Sequence, residues 1–497
     1  MVKSKTVEAQ MSTSKFILLA SVAFISSCSV GPDYKRPQFF GADAISESLN
    51  LSGKKQNIAK DWYQQFNDPF LNTLIARGLE NSPTVGVAIE KLRQARQSLR
   101  INAVQNLPTL DADGSYNYSK EAINYGIPVS SDYYQLGLDA SWEIDIWGGG
   151  RRLTESSLAL VRAAGANLDN VRLSLTAEIA TNYINLRQTQ EQLRIAKKNL
   201  ELQQSIYELV NEKYKVGLTD DISLNQASYI VKNTEMQIPE LETSVAAYQN
   251  ALDILIGQLP GQLDAMLQNP EQNLVAKPYK FDLQQLYDLP ISVVRERPDV
   301  REAEEQLIAQ NAKIGQAIAK LFPNVSISGF WGYQSQKLSN LISHKHDMYS
   351  YSPAISLPLF HWGALVNNVE LEKSATSEQM QLYKSVLLTA VGDIRNATTA
   401  LSKETERNIS ATAAETAQQQ VADLTLEKYK QGLIEFSDVL TSQQNLLSAQ
   451  TSRIESNAAI YKDIISFYKS VGGGYTIDIP SFQKVDAKTE ANEICKG

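Results

Sequence analysis

The chain writes one phrase twice. Glu212–Leu218 reads EKYKVGL and Glu427–Leu433 reads EKYKQGL, and the start points differ by 427 − 212 = 215 positions. The same offset pairs Pro83 with Pro298, Val85 with Val300, Glu90 with Glu305 and Leu92 with Leu307. It also pairs Pro108 with Pro323, Gly114 with Gly329, and Trp147-Gly148 with Trp362-Gly363. One constant offset over so long a stretch reads as a tandem duplication, residues 83–297 and 298–474. A repeat of this length is not a solenoid unit. It predicts two similar halves related by a pseudo-symmetry axis. Each half carries the same order: a helical piece, two strand-like segments, a very long helix and a shorter one.

The strand-like segments alternate with period two, the mark of a sheet whose faces meet different surroundings. In Thr109–Ser119, Leu110, Ala112, Gly114, Tyr116 and Tyr118 oppose Asp111, Asp113, Ser115, Asn117 and Ser119. In residues 133–146, Tyr134, Leu136, Leu138, Ala140, Trp142 and Ile144 oppose Gln135, Gly137, Asp139, Ser141, Glu143 and Asp145. The second half repeats the pattern at about 324–334 and 349–359, with Phe330 out of place on the polar face. Segments of about ten residues suit a tilted membrane strand, and Tyr and Trp gather toward their ends as an interfacial girdle requires. Five carboxylates, Asp111, Asp113, Asp139, Glu143 and Asp145, share one face and belong next to water. A half-buried sheet in a soluble domain explains the alternation alone, but not its length, its aromatic ends or its acidity. Four strands in lipid leave two edges of unpaired backbone groups, each costing several kcal/mol. Such a chain must oligomerise to close a barrel. A dimer supplies eight strands, whose interior holds little beyond side chains. A trimer supplies twelve and leaves room for a conduit.

Long helices are expected at about 151–216, 221–256, 364–431 and 436–471, in sequence rich in Ala, Leu, Gln, Glu and Lys. Leu168, Val171, Leu175, Ile179, Tyr183, Leu186, Leu193 and Leu200 step by 3, 4 or 7 and form a coiled-coil-like seam. The first of these helices would span roughly 95–100 Å at 1.5 Å per residue. The repeated phrase ends the long helix in each half. Lys213, Lys215, Lys428 and Lys430 suit a helix C-terminus electrostatically. Gly217 and Gly432 suit the positive-φ position just beyond it. Asp220, Asp221, Ser437 and Asp438 are good starters for the returning helix. The phrase thus marks two equivalent hairpin tips.

The N-terminus adds a destination. Lys15, the apolar run Phe16–Ile25 and then Ile25-Ser-Ser-Cys28 describe a secretory signal over residues 1–27. The cysteine at the cut resembles a bacterial lipobox, with Cys28 as the acylated first residue and Ser29 directing the product to the outer membrane. Residues 28–82 read as a tether and an intermediate segment, and 475–497 as a polar tail holding the other cysteine, Cys495. A net charge of −8 over 497 residues argues against a nucleic-acid partner.

Taken together, CSVGPDYKRP, DWYQQFNDPFLNTLI (Asp61–Ile75), SWEIDIWG (Ser141–Gly148) and the two EKYKxGL tips resemble the TolC-like outer-membrane efflux proteins. The lipid-anchored start resembles the OprM-like branch serving RND (resistance–nodulation–division) pumps. That resemblance implies an α+β membrane protein: a homotrimer with a 12-stranded outer-membrane β-barrel continued by a periplasmic α-helical barrel, closed at its lower end. It implies docking of a periplasmic adaptor and an inner-membrane RND pump, with no cofactor beyond lipid on Cys28. It places a gate at Tyr429 and Asp438, with Asp220, Asp221 and Glu435 as further polar groups. The adaptor-docking tips are Val216-Gly217-Leu218 and Gln431-Gly432-Leu433. Ile434 stands where some relatives carry an Arg, and Ser223 where they carry its Asp partner.

No phosphate-binding glycine loop or nucleophile–base set is written in the chain, and His344 and His346 fall in the loop between the second pair of strands. The expected activity is therefore not enzymatic. It is passive conduction of drugs or other toxic small molecules across the outer membrane. A TolC-type channel for protein secretion and a coiled-coil scaffold without a pore are the competing readings.

Overall fold

A computed structural model describes residues 29–49, 60–120, 130–267, 273–279, 281–283, 290 and 292–475. The signal segment, Cys28 and the tail beyond Tyr475 lie outside the described residues. In chain order the main elements are α1 (Pro69–Asn81), α2 (Pro83–Val104), β1 (Thr109–Lys120), β2 (Ser130–Glu143), α3 (Gly149–Lys215) and α4 (Asp221–Leu255). The second half follows with α5 (Pro298–Ala319), β3 (Asn324–Ser335), β4 (Asp347–Ser356), α6 (Trp362–Lys430) and α7 (Phe436–Ser470). The chain forms two compact units.

The first unit comprises the chain up to Pro37, Glu90–Gly165 and Glu302–Lys384. It holds one antiparallel sheet in the order β1-β2-β3-β4. The register puts like with like. Ala112 lies opposite Leu138, which lies opposite Trp331, on the apolar face, and Asp111 lies opposite Asp139 on the polar one. Tyr116 and Tyr134 face each other with ring centroids 4.7 Å apart. β1 and β4 are the edges, and their outer backbone groups await partners.

The membership of the acidic face is corrected in this unit. Strand β2 ends at Glu143, so Asp145 leaves the acidic face. Its carboxylate instead accepts from the Arg151 backbone N–H at 2.9 Å and bonds the Arg151 guanidinium, securing the start of α3. Phe330 does stand on the polar face, opposite Asp139. Its reason is a pair of directly opposed glycines, Gly137 and Gly332. A Cβ on Gly137 would lie 2.6 Å from Phe330 Cε2, and one on Gly332 would lie 2.8 Å from Phe330 Cζ. The ring lies over the wall where those two side chains would be. β4 also begins and ends slightly earlier than expected, at Asp347 and Ser356, so Leu357–Leu359 are outside the sheet.

The junction from β2 into α3 is tied to residues 30–33. Val30 N–H donates to the Trp147 carbonyl at 3.0 Å. Arg152, almost fully buried, donates to the carbonyls of Val30 and Gly31 and pairs with Asp33 at 2.7 Å. Trp147 stacks on Phe322 at 4.6 Å and donates its indole N–H to the Pro323 carbonyl at 2.8 Å.

The second unit comprises Gln38–Ile89, Ala166–Arg301 and the chain from Ser385. Its core uses the expected seam at Leu168, Leu175, Ile179, Tyr183 and Leu186, all buried. Further along, Ile195, Ala196 and Asn199 are buried while Leu193 and Leu200 are only half-buried. A straight helix drifts about 20° per heptad, which carries a seven-residue stripe off the contact line. The motif Asp61–Ile75 adds Trp62, Phe66, Leu71, Leu74 and Ile75 to this core. Trp62 stacks on Tyr468 at 5.2 Å, and Phe66 meets Tyr461 edge-on at 5.4 Å. Asp68 caps α1 by accepting from the N–H groups of Phe70 and Leu71, at 2.9 and 3.1 Å. Its other oxygen accepts from the buried Tyr183 hydroxyl at 2.6 Å, and Arg187 donates to that hydroxyl at 3.1 Å.

Candidate gate and docking tips

All the residues of the two repeated phrases lie in the second unit, where α3 turns into α4 and α6 turns into α7. Each turn is a Schellman motif. At the first, Leu218 N–H donates to the Lys213 carbonyl at 2.8 Å and Gly217 N–H to the Tyr214 carbonyl at 2.9 Å. At the second, Leu433 N–H donates to the Lys428 carbonyl and Gly432 N–H to the Tyr429 carbonyl, both at 3.0 Å. Gly217 and Gly432 hold φ of 76° and 77°, a conformation that penalises any Cβ. The duplicated sequence thus makes duplicated geometry.

The tips differ in what they expose. Val216, Leu218 and Ile222 of the first stand 66–75% exposed, and Leu433 of the second 67%. Behind them lies a small shared core in which Ile206, Val210 and Ala227 of the first hairpin pack with Tyr429, Phe436 and Val439 of the second. Ile434 packs against that core. An apolar side chain thus occupies the position where the resemblance calls for an Arg.

Tyr429 is the centre of this arrangement. Its ring meets Phe436 at 5.5 Å and 61°. Lys213 reaches across from the first hairpin, with its Nζ 4.2 Å from the Tyr429 ring centroid and donating to the Tyr429 carbonyl at 3.0 Å. The Tyr429 hydroxyl is buried without a hydrogen bond of ordinary geometry. Burial pushes its phenol above the usual range, the Thr219 side chain draws it back, and the Asp220 charge adds to the rise. Within one chain, then, the ring and the carbonyl hold the hairpins together, and the hydroxyl does not. Lys213 was legible only as a helix-end cation. Its reach is a tertiary fact, although its place in the repeated phrase was a signal.

The acidic residues divide by role. Asp220 is the N-cap of α4 and accepts from the Ser223 N–H at 2.9 Å. That N–H and the Ser223 hydroxyl hold its carboxylate below the usual range. Asp221 lies beside Tyr214, and its carboxylate raises that phenol's pKa. Glu435 occupies the N-cap position of α7 without a capping bond from its side chain, so Ser437 and Asp438 lie inside the helix rather than at its cap. Asp438 is exposed in the first turn of α7. Among the described residues Asp438 and Glu435 are therefore left as surface carboxylates, while Asp220 and Asp221 interact within their own hairpin.

Comparison with known proteins agrees with this architecture. The model of the outer membrane efflux protein family matches residues 74–258 and again residues 289–473, two stretches whose starts differ by 289 − 74 = 215 positions. Nodulation protein T of Rhizobium leguminosarum bv. viciae is 28% identical over 494 residues, covering 96% of this chain and 97% of the relative. The cation efflux system protein CusC of Escherichia coli is 27% identical over 475 residues, covering 94% and 100%. Among solved structures, the outer-membrane channel OprN superposes with a TM-score of 0.82 at 30% identity, covering 90% of this chain and 99% of that one. The fold is that of a trimeric channel with a β-barrel continued by an α-helical barrel. The scaffold and secretion readings lose their support. The chain belongs to the outer membrane efflux protein family and is the outer-membrane channel of a tripartite efflux system.

Proposed function

We propose that the channel is a lipid-anchored homotrimer, closed at its hairpin tips until a periplasmic adaptor docks there and an inner-membrane RND pump delivers small toxic molecules. The observation that carries this reading is the pair of tips. Two identical Schellman turns present exposed Val216, Leu218 and Leu433, while the side chains behind them are buried around Tyr429. Exposed apolar groups on a polar helical surface suit an adaptor that needs no covalent change to bind. The docking residues are Val216, Gly217, Leu218, Gln431, Gly432 and Leu433.

Asp438 is the ring carboxylate of the gate, with Glu435 beside it. Three copies of Asp438 around a narrow opening attract cations and repel one another. Tyr429 holds the gate shut through its packing. Asp220 and Asp221 shape the first hairpin, so their part in the gate is indirect. The lipid on Cys28 fits the way Val30, Gly31 and Asp33 are tied to the start of α3, which leads out of the barrel strand β2. A passive duct does not need to recognise its cargo, so no cargo-selective site is assigned.

Bilayer recordings on Asp438→Asn test the gate. A carboxylate ring predicts reduced cation selectivity, and unchanged selectivity would remove Asp438 from the pore. Intact mass of the mature protein tests the anchor: acyl chains on a fragment starting at Cys28 are expected, and an unmodified start elsewhere refutes it.

A further inference from the structure

The contact between the two hairpins is made once inside the chain, yet duplication supplies its parts twice. Lys213 and Tyr429 use the lysine of the first phrase and the tyrosine of the second. The offset of 215 leaves Lys428 and Tyr214, the lysine of the second phrase and the tyrosine of the first. Among the described residues neither makes a lysine–ring contact like that of Lys213 and Tyr429 within the chain. Tyr214 is 38% exposed, and Lys428 is exposed with no ion-pair partner among the described residues.

A closed ring built from two-hairpin subunits alternates first and second hairpins. The second hairpin of one subunit must therefore meet the first hairpin of the next, a heterologous contact that closes on itself. We infer that Lys428 of each subunit clasps Tyr214 and Asp221 of its neighbour, repeating across the subunit boundary what Lys213 does with Tyr429 inside the chain. The inference rests on the trimeric channel reading above.

The two clasps differ in chemistry. The residue matched to Asp221 by the offset is Phe436. Inside the chain Phe436 meets Tyr429 edge-on and the lysine finds a ring and a carbonyl. Between subunits the Asp221 carboxylate lies beside Tyr214, so the incoming ammonium meets a ring with a carboxylate next to it. A cation over an aromatic face next to a carboxylate is a matched site for one lysine. Both partners face water, so salt weakens this seam more than the buried one. The subunit boundary is thus the salt-sensitive part of the closed tip.

Photo-crosslinking of full-length trimers tests this directly. A benzophenone amino acid replaces Lys428, and subunits with two different tags are co-expressed to separate links between chains from links within one. The expected product joins two subunits, with the linked peptide spanning Tyr214–Asp221. A link confined to one chain, or one mapping elsewhere in properly formed trimers, overturns the clasp while leaving the channel reading intact. A single-copy species in the outer membrane would overturn the trimeric reading and the clasp with it. Charge reversal gives a second measure. Lys428→Glu should raise resting conductance or loosen the trimer by roughly tenfold, the order seen for coupled charged neighbours. Adding Asp221→Lys to Lys428→Glu should restore closure. A double variant as leaky as, or leakier than, the single one refutes the pairing.

Discussion

Removing the Lys213 ammonium gives the most quantitative access to the closed tip. Lys213→Met keeps an unbranched stem over the Tyr429 ring and deletes only the charge. Two interactions go with it. The bond to the Tyr429 carbonyl, 3.0 Å long, is a charged-donor bond of about 1.5–3 kcal/mol before correction. The ammonium over the ring at 4.2 Å adds about 0.5–1 kcal/mol at a half-exposed site. Two effects reduce the sum. The Tyr429 carbonyl keeps the Gly432 N–H at 3.0 Å, so it is not orphaned, and in wild type the freed ammonium regains water on opening. A net loss of about 1–2 kcal/mol per subunit remains. If the three subunits open as one ring, the closed state loses about 3–6 kcal/mol, more than a hundredfold in its ratio to the open state. Planar-bilayer recordings of resting conductance read this out. Lys213→Met should leak at least tenfold more than wild type. Lys215→Met is the control, because its ammonium pairs with exposed Glu212 on the same helix. A Lys213→Met channel as closed as wild type, or an equal leak from Lys215→Met, would refute the reasoning.

Two further outcomes follow from the geometry. Leu138→Arg puts a charge on the lipid face beside Trp331 and should cost about 2–4 kcal/mol per chain and impair assembly, whereas Asp139→Arg, one residue on, should assemble and lower cation selectivity; equal assembly of both would reverse the inside–outside assignment. Asp463 is held up to about 6 by burial and then by Glu404, with Lys462 opposing. Its folded pKa lies above its unfolded one, so its favourable contribution is full below about pH 4 and is lost as pH rises through about 6. Asp463→Asn should therefore stabilise the protein at neutral pH and flatten that part of the pH–stability curve, as thermal melts across pH 4–7 would show.

The helices and the duplication were legible because each has a period that composition cannot imitate. Proline-free stretches and the glycines 217 and 432 placed the helix ends within a few residues. The strand ends were less legible. Ile144 and Ile146 continue the alternation past Glu143, but Asp145 turns to bond Arg151, and a local capping bond outranks a pattern. Phe330 broke the alternation because its space comes from glycines on two different strands, and cross-strand register is not written along one strand. The geometry of the hairpin tips was half legible. Tyr429 and the acidic residues could be named from the phrase and from resemblance. Which acids are engaged depends on where each helix starts. Asp220 proved to be a cap, and α7 begins one residue after Glu435, which leaves Asp438 in the first turn rather than at the cap.

The central claim is that four strands per chain become a water-filled barrel only by trimerisation. A cryo-EM map of the full-length protein in lipid nanodiscs tests it most directly. Three copies are expected, with β4 of each pairing with β1 of the next in a closed twelve-stranded barrel. Asp111, Asp113 and Asp139 are expected on a continuous lumen and Leu138 and Trp331 toward lipid. A two-copy barrel, or those carboxylates facing lipid, would contradict it.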